Sequence, residues 1–287
     1  GYRTLTSDLL EINPNMRVVG LTATPFRLGH GLITDAPALF SDLIEPVTIE
    51  ELIYKGHLAP LRSKVTDVKL STEGVHKRGG EFIESELQAA VDTHETNADV
   101  VRSILTHAGP RKSWLVFCVG VDHAHNIRDE LLQSGITAAT VTGDTPANER
   151  DQILNAFKAG QIQAVTNANV LTTGFDHPDL DLIVMLRPTM SASLYVQMAG
   201  RGMRVKSHTD HCLVLDYAGV VQTHGPITNV EPGRKAGEGG EMPVKVCENC
   251  DELVHISAKI CPACGAPFPE PEPKPVTLHN LDIMGIE

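Results

Sequence analysis

No apolar run in the 287 residues approaches the roughly 20 that a bilayer-spanning helix needs, and Leu182-Ile183-Val184-Met185-Leu186 is only strand length. The sequence opens at Gly1-Tyr2 with no Met and no basic-then-apolar leader, so export is not the expectation. Cysteine is scarce. The six fall at 118, 212, 247, 250, 261 and 264, and without an export signal they read as reduced thiols. The expected location is therefore cytoplasmic, with no membrane partner. Basic residues are the minority sign, 24 against 36 acidic, for a formal net charge of −12. That balance argues against broad, nonspecific phosphate binding over the whole surface and leaves room for a local basic cleft. No Gly-Lys pair occurs, so the phosphate-cradling G-x-x-x-x-G-K-[ST] loop is missing from these residues. Wholesale disorder is excluded too, because 41% of the residues are apolar and only 21% charged, enough to bury a core.

The chain divides by pattern. An amphipathic stretch, 4–12, leads to an expected strand at 17–21 that Pro25 stops after Thr22-Ala23-Thr24. Short helical signals come next, such as 49–55 closed by Gly56. A charged, Gly-rich loop, 73–81, then precedes expected helices at 83–91 and 97–108, the second ended by Gly109-Pro110. From 112 the alternation becomes regular. Strands are expected at 114–119, 138–141, 164–167, 182–186 and 212–216, with helices at 123–134, 146–159 and 193–204 between them. Strands apolar throughout and separated by helices specify an α/β fold, with a parallel sheet covered on both faces. The expected division is 1–60, a 61–110 connector with helices, a complete α/β domain at 111–221, a linker at 222–243, a small module at 244–268 and an extended tail at 269–287.

The last four cysteines, Cys247, Cys250, Cys261 and Cys264, form C-x2-C-x10-C-x2-C, which supplies four thiolates to a tetrahedral zinc ion. Gly265 suits the tight turn of the second knuckle. Four protein ligands leave no position for water, so such a site is structural. A module of about 25 residues has almost no core, and its folding energy would be metal binding, on the order of 10–16 kcal/mol.

Another constellation centres on Gln197, Gly200, Arg201 and Arg204. At about 100° per residue, positions 197, 201 and 204 project within one arc of a helix, with Gly200 leaving room for close approach. Guanidinium forks match phosphate oxygens. Upstream, Thr172-Thr173-Gly174-Phe175-Asp176 comes after the 164–167 strand. Hydroxyls, a glycine and a carboxylate at a strand's carboxyl end suit phosphate and ribose hydrogen bonding, although an Asx-type turn before Pro178 has the same look. Thr22-Ala23-Thr24 and the basic Arg27 repeat the design. Thr142-Gly143-Asp144-Thr145 reads either as a strand-binding turn or as an N-cap. His208 to Cys212 resembles a metal cluster but reads as surface histidines before an edge strand. His123 and His125 read as caps or decoration, Trp114 and Phe157 as core. His76-Lys77-Arg78 could touch DNA or simply be solvated. Residues 160–206 carry four basic groups (Arg187, Arg201, Arg204, Lys206) against three acidic ones (Asp176, Asp179, Asp181).

Thr22-Ala23-Thr24, then 117–124, Thr173-Gly174-Phe175-Asp176 and Gln197-x-x-Gly-Arg-x-x-Arg204 resemble motifs III, IV, V and VI of superfamily-2 DEAD/DEAH-box helicases, in that order. With the cysteine module and the closing Asp282-Ile283-Met284-Gly285, the chain looks most like the RadD family of DNA-repair helicases. The resemblance implies a partial first RecA-like domain, a complete second one and a C-terminal zinc ribbon. It implies ATP and Mg²⁺ between the two domains, and DNA, single-stranded or branched, with repair proteins as partners. Arg201 and Arg204 would be arginine fingers and Gln197 would fix the phosphate end. Gly174 and Asp176 would lie at the ribose, while Thr142, Gly143, Thr172 and Thr173 would face nucleic acid. Thr22 and Thr24 would couple hydrolysis to strand movement. The departures are the absent phosphate loop and the absent DEAD/DEAH box. Asp129-Glu130 lies in an expected helix and Asp251-Glu252 in the zinc loop, so neither replaces the box. The expectation is a chain that starts after the DEAH strand, lacks most Mg²⁺ ligands and turns over no ATP alone. The alternatives are the motor subunit of a restriction-type complex and a non-catalytic nucleic-acid-binding scaffold.

Overall fold

The computed structural model describes residues 2–22, 24–27, 31–35, 39–44, 47–230 and 244–269. Its centre is a six-stranded, wholly parallel sheet built from β1 (Leu61–Lys64), β2 (Trp114–Phe117), β3 (Ala138–Val141), β4 (Ala164–Asn167), β5 (Leu182–Met185) and β6 (Cys212–Asp216). The spatial order is β1-β6-β5-β2-β4-β3. Every residue of β2, β4, β5 and β6 is buried, as a sheet covered on both faces requires.

The two-residue period of the strands sorts side chains between two cores. Trp114, Val116, Leu182, Val184, Leu213 and Leu215 face one side. The helices Glu84–Val91, His94–Ala108 and Val121–Gln133 cover it with Leu87, Ile104, Ile127 and Leu131. On the other side, Leu115, Phe117, Ile183, Met185 and Val214 meet Phe157 of the helix Ala147–Lys158 and Met198 of Ala192–Gly200. The expected α/β domain is thus present, with helix and strand ends within a few residues of the pattern.

Four expectations change. Residues 17–21 form no strand; they are irregular, with Val19 85% and Leu21 97% exposed. Among the described residues no neighbour offers them backbone partners, and a lone strand leaves its N–H and C=O groups unpaired. The 61–110 segment is no mere connector. It supplies edge strand β1, paired to β6 from Leu61↔Cys212 to Lys64↔Leu215, and its two helices share the first core. Consequently β6 is interior rather than an edge. The 222–243 linker begins later than expected, because the helix Val220–His224 and the turn Ile227–Asn229 pack on the second core through Val221 and Ile227. Residues 231–243, 270–287 with Asp282-Ile283-Met284-Gly285, and Ala23 lie outside the described residues.

The cysteine module hangs on the hairpin Val244–Val246/Leu253–His255 and docks against β1. Glu252 bridges antiparallel to Lys64, and its buried carboxylate accepts the Ser63 N–H at 2.8 Å.

Candidate functional site

Parallel sheets gather ligands at the carboxyl ends of their strands, so the site is built from the loops and helices that leave β2, β4 and β5. After β4, Leu171 and Phe175 turn into the second core, where Phe175 stacks 6.2 Å from Phe157. These two anchors leave Thr173, Gly174 and Asp176 at the surface, with Thr172 half-buried. Gly174 has φ 73°, a backbone that favours glycine.

The helix Ala192–Gly200 is capped by Ser191, whose hydroxyl accepts from the Leu194 N–H at 3.2 Å. It stops sooner than the sequence suggests. Arg201–Met203 tightens into a 3-10 turn and Arg204 is extended at ψ 143°, so 197, 201 and 204 do not share one α-helical arc. The cause is Gly202, pressed onto the sheet so closely that a Cβ there would lie 2.7 Å from Cys212 Sγ and 2.9 Å from Ile183 Cδ1. Buried Lys206 completes the turn, its ammonium donating to Gly202 O at 2.6 Å and Arg204 O at 2.7 Å. A Cβ at Gly200 would meet nothing within 4 Å, so that side of the turn is open.

The two arginines still converge, on the loop after β4 rather than on a helix face. Arg201 donates to Phe175 O at 2.6 Å and to Gln197 O at 3.3 Å. Arg204 pairs with Asp176 at 2.9 Å, both side chains more than half exposed. Burial, and then the neighbouring Arg204 charge, lower the Arg201 pKa. Gln197 donates to Ser193 Oγ at 3.3 Å, and Ser193 donates to Thr24 Oγ1 at 3.0 Å. Thr22 Oγ1 in turn accepts the Thr24 N–H at 3.0 Å. A polar chain therefore runs from Thr22 through Thr24 and Ser193 to Gln197. Ser193 belongs to none of the sequence motifs; its one signal is that it is the second hydroxyl in Ser191-Ala192-Ser193.

Thr142 and Gly143 sit apart from this group, beyond β3. Thr142 is buried, its N–H donating to Thr145 Oγ1 at 2.9 Å, and only Gly143 is exposed. The N-cap alternative fails, because the next helix is capped by Pro146 without a side-chain hydrogen bond.

In the cysteine module, Cys247 and Cys264 Sγ lie 3.6 Å apart and Cys250 and Cys261 Sγ 3.7 Å apart, all four within 4.8 Å. Disulfides would need about 2.05 Å. A tetrahedron with Zn–S near 2.3 Å has edges of about 3.8 Å, so this donor set fits such an ion. Gly265 at φ 74° lets its N–H reach Cys261 O at 2.9 Å. Burial raises the Cys250 thiol to about 12, whereas hydrogen bonds, first from Asn249, lower Cys264 to about 6. Among the described residues no other group of three or more His, Cys, Asp or Glu converges in this way. His208 instead contacts Asp181 at 2.8 Å and His211 contacts Asp210 at 2.6 Å. His123 is core rather than a cap, and burial pushes its pKa down to about 4.

Comparison with known proteins shows what this arrangement is similar to. Residues 96–206 match the family described as Helicase conserved C-terminal domain. That stretch holds β2 to β5, the loop after β4 and both arginines. The chain is 28% identical over 269 residues to a 51.5 kDa protein of a Lactococcus phage, covering 91% of this chain and 58% of that one. It is 31% identical over 211 residues to a provisionally named mitochondrial ATP-dependent helicase, irc3, of Schizosaccharomyces pombe, 70% of this chain and 33% of the relative. An Escherichia coli type I restriction enzyme EcoAI endonuclease subunit is 25% identical over 223 residues, 69% of this chain and 27% of its own. Among solved structures, a fragment provisionally assigned as the HsdR subunit of a Vibrio vulnificus type I restriction enzyme shares the fold, with a TM-score of 0.55 and 22% identity over 74% of this chain and 42% of the fragment. The chain thus spans between about a quarter and three-fifths of the length of these relatives.

Proposed function

We propose that these residues are the C-terminal portion of an ATP-dependent DNA helicase or translocase of DNA repair, of the RadD kind. The single observation that carries the reading is the convergence of Arg201 and Arg204 on Phe175-Asp176, with Gln197 joined through Ser193 to Thr24. Arg201 is half-buried and held by two carbonyls, which fixes its direction. Arg204 is held only by an exposed ion pair, of the type worth about 0.2–1 kcal/mol, so it can exchange Asp176 for a nucleotide's phosphate oxygens.

In this reading a bound nucleotide supplies the phosphoryl group, and Mg²⁺ is held mostly by residues outside these 287. Arg201 and Arg204 stabilise the charge that develops on transfer to water. Gln197 orients the phosphate end, with Gly200 leaving room for it; Gly174 and Asp176 face the ribose. Thr172, Thr173 and Gly143 contact the strand, and Thr22 and Thr24 transmit hydrolysis along the Ser193 hydrogen bonds. The four cysteines hold a structural zinc ion that folds the module onto β1.

The test uses a protein in which a phosphate loop and a DEAH box precede these residues. There, Arg204→Ala should cut ATP turnover by about 10³-fold or more, the scale of an arginine finger. Turnover left unchanged refutes the assignment. The 287-residue chain alone should hydrolyse no ATP.

A further inference from the structure

The connections leaving the central strands diverge at one place. After β2 the chain passes to the helix Val121–Gln133 on the first face, whereas after β4 and β5, on either side of β2, it passes to the second face through Leu171, Phe175 and the helix Ala192–Gly200. Such a divergence opens a crevice at the carboxyl ends of the strands, the position where α/β sheets take ligands. Here the crevice is filled by the chain's own helix Glu84–Val91. Gln88 lies so close to Gly120 that a Cβ there would collide with it, and its amide donates to Asp122 at 3.3 Å.

At the bottom of the crevice stands Arg187, its side chain only 16% exposed. One guanidinium nitrogen donates to Val119 O at 3.3 Å and to Asn169 Oδ1. The other meets Glu84 Oε2 at 3.3 Å, the same oxygen that accepts Asn169 Nδ2 at 3.2 Å. Asn169 adopts φ 61°, a left-handed backbone uncommon outside glycine, at the residue that completes this arrangement. A largely buried cation and an amide therefore converge on one oxygen of an acidic group whose own side chain is 52% exposed.

A second observation extends the anion path. The preceding hairpin, Lys77–Arg78 with Glu81–Phe82, is anchored and not a loose loop. Glu81 accepts Thr189 Oγ1 at 2.6 Å and the Met190 N–H at 3.0 Å, and Lys77 Nζ lies 3.5 Å from Met190 Sδ. It thus holds exposed Lys77 and Arg78 beside the loop that Arg187 begins.

We propose that Arg187 and Asn169 form a binding site for a backbone phosphate of single-stranded nucleic acid, with Lys77 and Arg78 on the neighbouring phosphates, and that Glu84 holds the site in cis until a strand displaces it. This rests on the nucleic-acid reading above. A guanidinium fork matches phosphate and carboxylate oxygens alike, so the Glu84 carboxylate is a competitor that a strand must displace.

The experiment is fluorescence anisotropy of a fluorescein-labelled 20-mer oligothymidylate with the 287-residue chain at low salt. Glu84→Gln should tighten binding by up to about 5-fold, the effect of removing one partly exposed ion pair. Glu95→Gln, the same charge change at an exposed position of the next helix, should leave it unaltered. Arg187→Gln should weaken binding, lower the salt slope by about one and abolish the gain from Glu84→Gln. Arg187→Lys, which keeps the charge without the guanidinium fork, should restore the salt slope. Equal affinities for wild type and Glu84→Gln, or a gain that survives Arg187→Gln, overturn the site while leaving the motor reading intact. No binding by any variant overturns both. If inorganic phosphate at matched ionic strength displaces the strand from Glu84→Gln, the ligand is a free anion and the assignment to a strand fails.

Discussion

Gly202 offers a sharp test of how the arginine turn is made, because Gly200 two residues earlier is its control. Replacing Gly202 by alanine puts a methyl 2.7 Å from Cys212 Sγ, 2.9 Å from Ile183 Cδ1 and 3.0 Å from Cys212 Cβ. Real Cβ contacts are looser than that, and all three neighbours belong to buried strands of the sheet, where close packing leaves them nowhere to go. The turn must then lift off the sheet and loosen the Lys206 hydrogen bonds to Gly202 O and Arg204 O. Overpacking of this kind costs about 1–3 kcal/mol. At about 2–4 °C per kcal/mol for a unit of this size, Tm should fall by about 2–12 °C. Gly200→Ala meets nothing within 4 Å and has helical backbone angles, φ −58° and ψ −21°. It should be neutral or stabilise by about 0.5–1 kcal/mol, since alanine loses less backbone freedom than glycine. Urea unfolding of the two variants beside wild type reads the difference, with the slope m unchanged. If Gly202→Ala unfolds at the same urea concentration as Gly200→Ala, the close approach is not what ends the helix, and the account of where Arg201 and Arg204 point is wrong.

The remaining expectations are simpler. Purified chain should carry one zinc ion per molecule by elemental analysis. Chelation should release it and make Cys247, Cys250, Cys261 and Cys264 titratable, while Cys118 and Cys212, buried in the sheet core, stay protected; four fast-reacting thiols before chelation would refute the site. His123 gives a pH signature. Its folded pKa of about 4 lies below the ordinary 6.5, so the unfolded chain takes a proton that the fold refuses. Stability should therefore be full above pH 6.5 and fall as pH drops from 6.5 towards 4, by up to about 3 kcal/mol at 1.36 kcal/mol per unit. His123→Gln should flatten that part of the profile in urea titrations, and an identical slope in the variant would refute the buried-histidine cause.

How much of this is legible in the sequence depends on whether a residue's role is set by its neighbours along the chain or in space. The all-apolar strands around Trp114–Phe117 and Leu182–Met185 announce burial on both faces, and the helices that separate most consecutive strands, though not β4 from β5, favour parallel pairing. The cysteine spacing likewise carries its own geometry, because each C-x2-C turn presets two thiols and the fold needs only to bring the pairs together. Those features are local. Leu61–Lys64, a strand of mixed Leu-Arg-Ser-Lys composition, has no such pattern. It is a strand because β6 supplies its backbone partners, whereas the apolar 17–21 stretch is not one because no described segment does. The helix carrying Gln197 ends at Gly200 because of the side chains beneath Gly202 in β5 and β6, residues 183 and 212, which periodicity along the chain cannot see. Ser193 against Thr24 and Glu84 against Arg187 are contacts 169 and 103 residues apart in sequence. The sequence alone settles which residues are fit for phosphate and metal chemistry, since that is fixed by side-chain type. Which of them meet, and which are already held by another part of the chain, is settled only when the sheet closes.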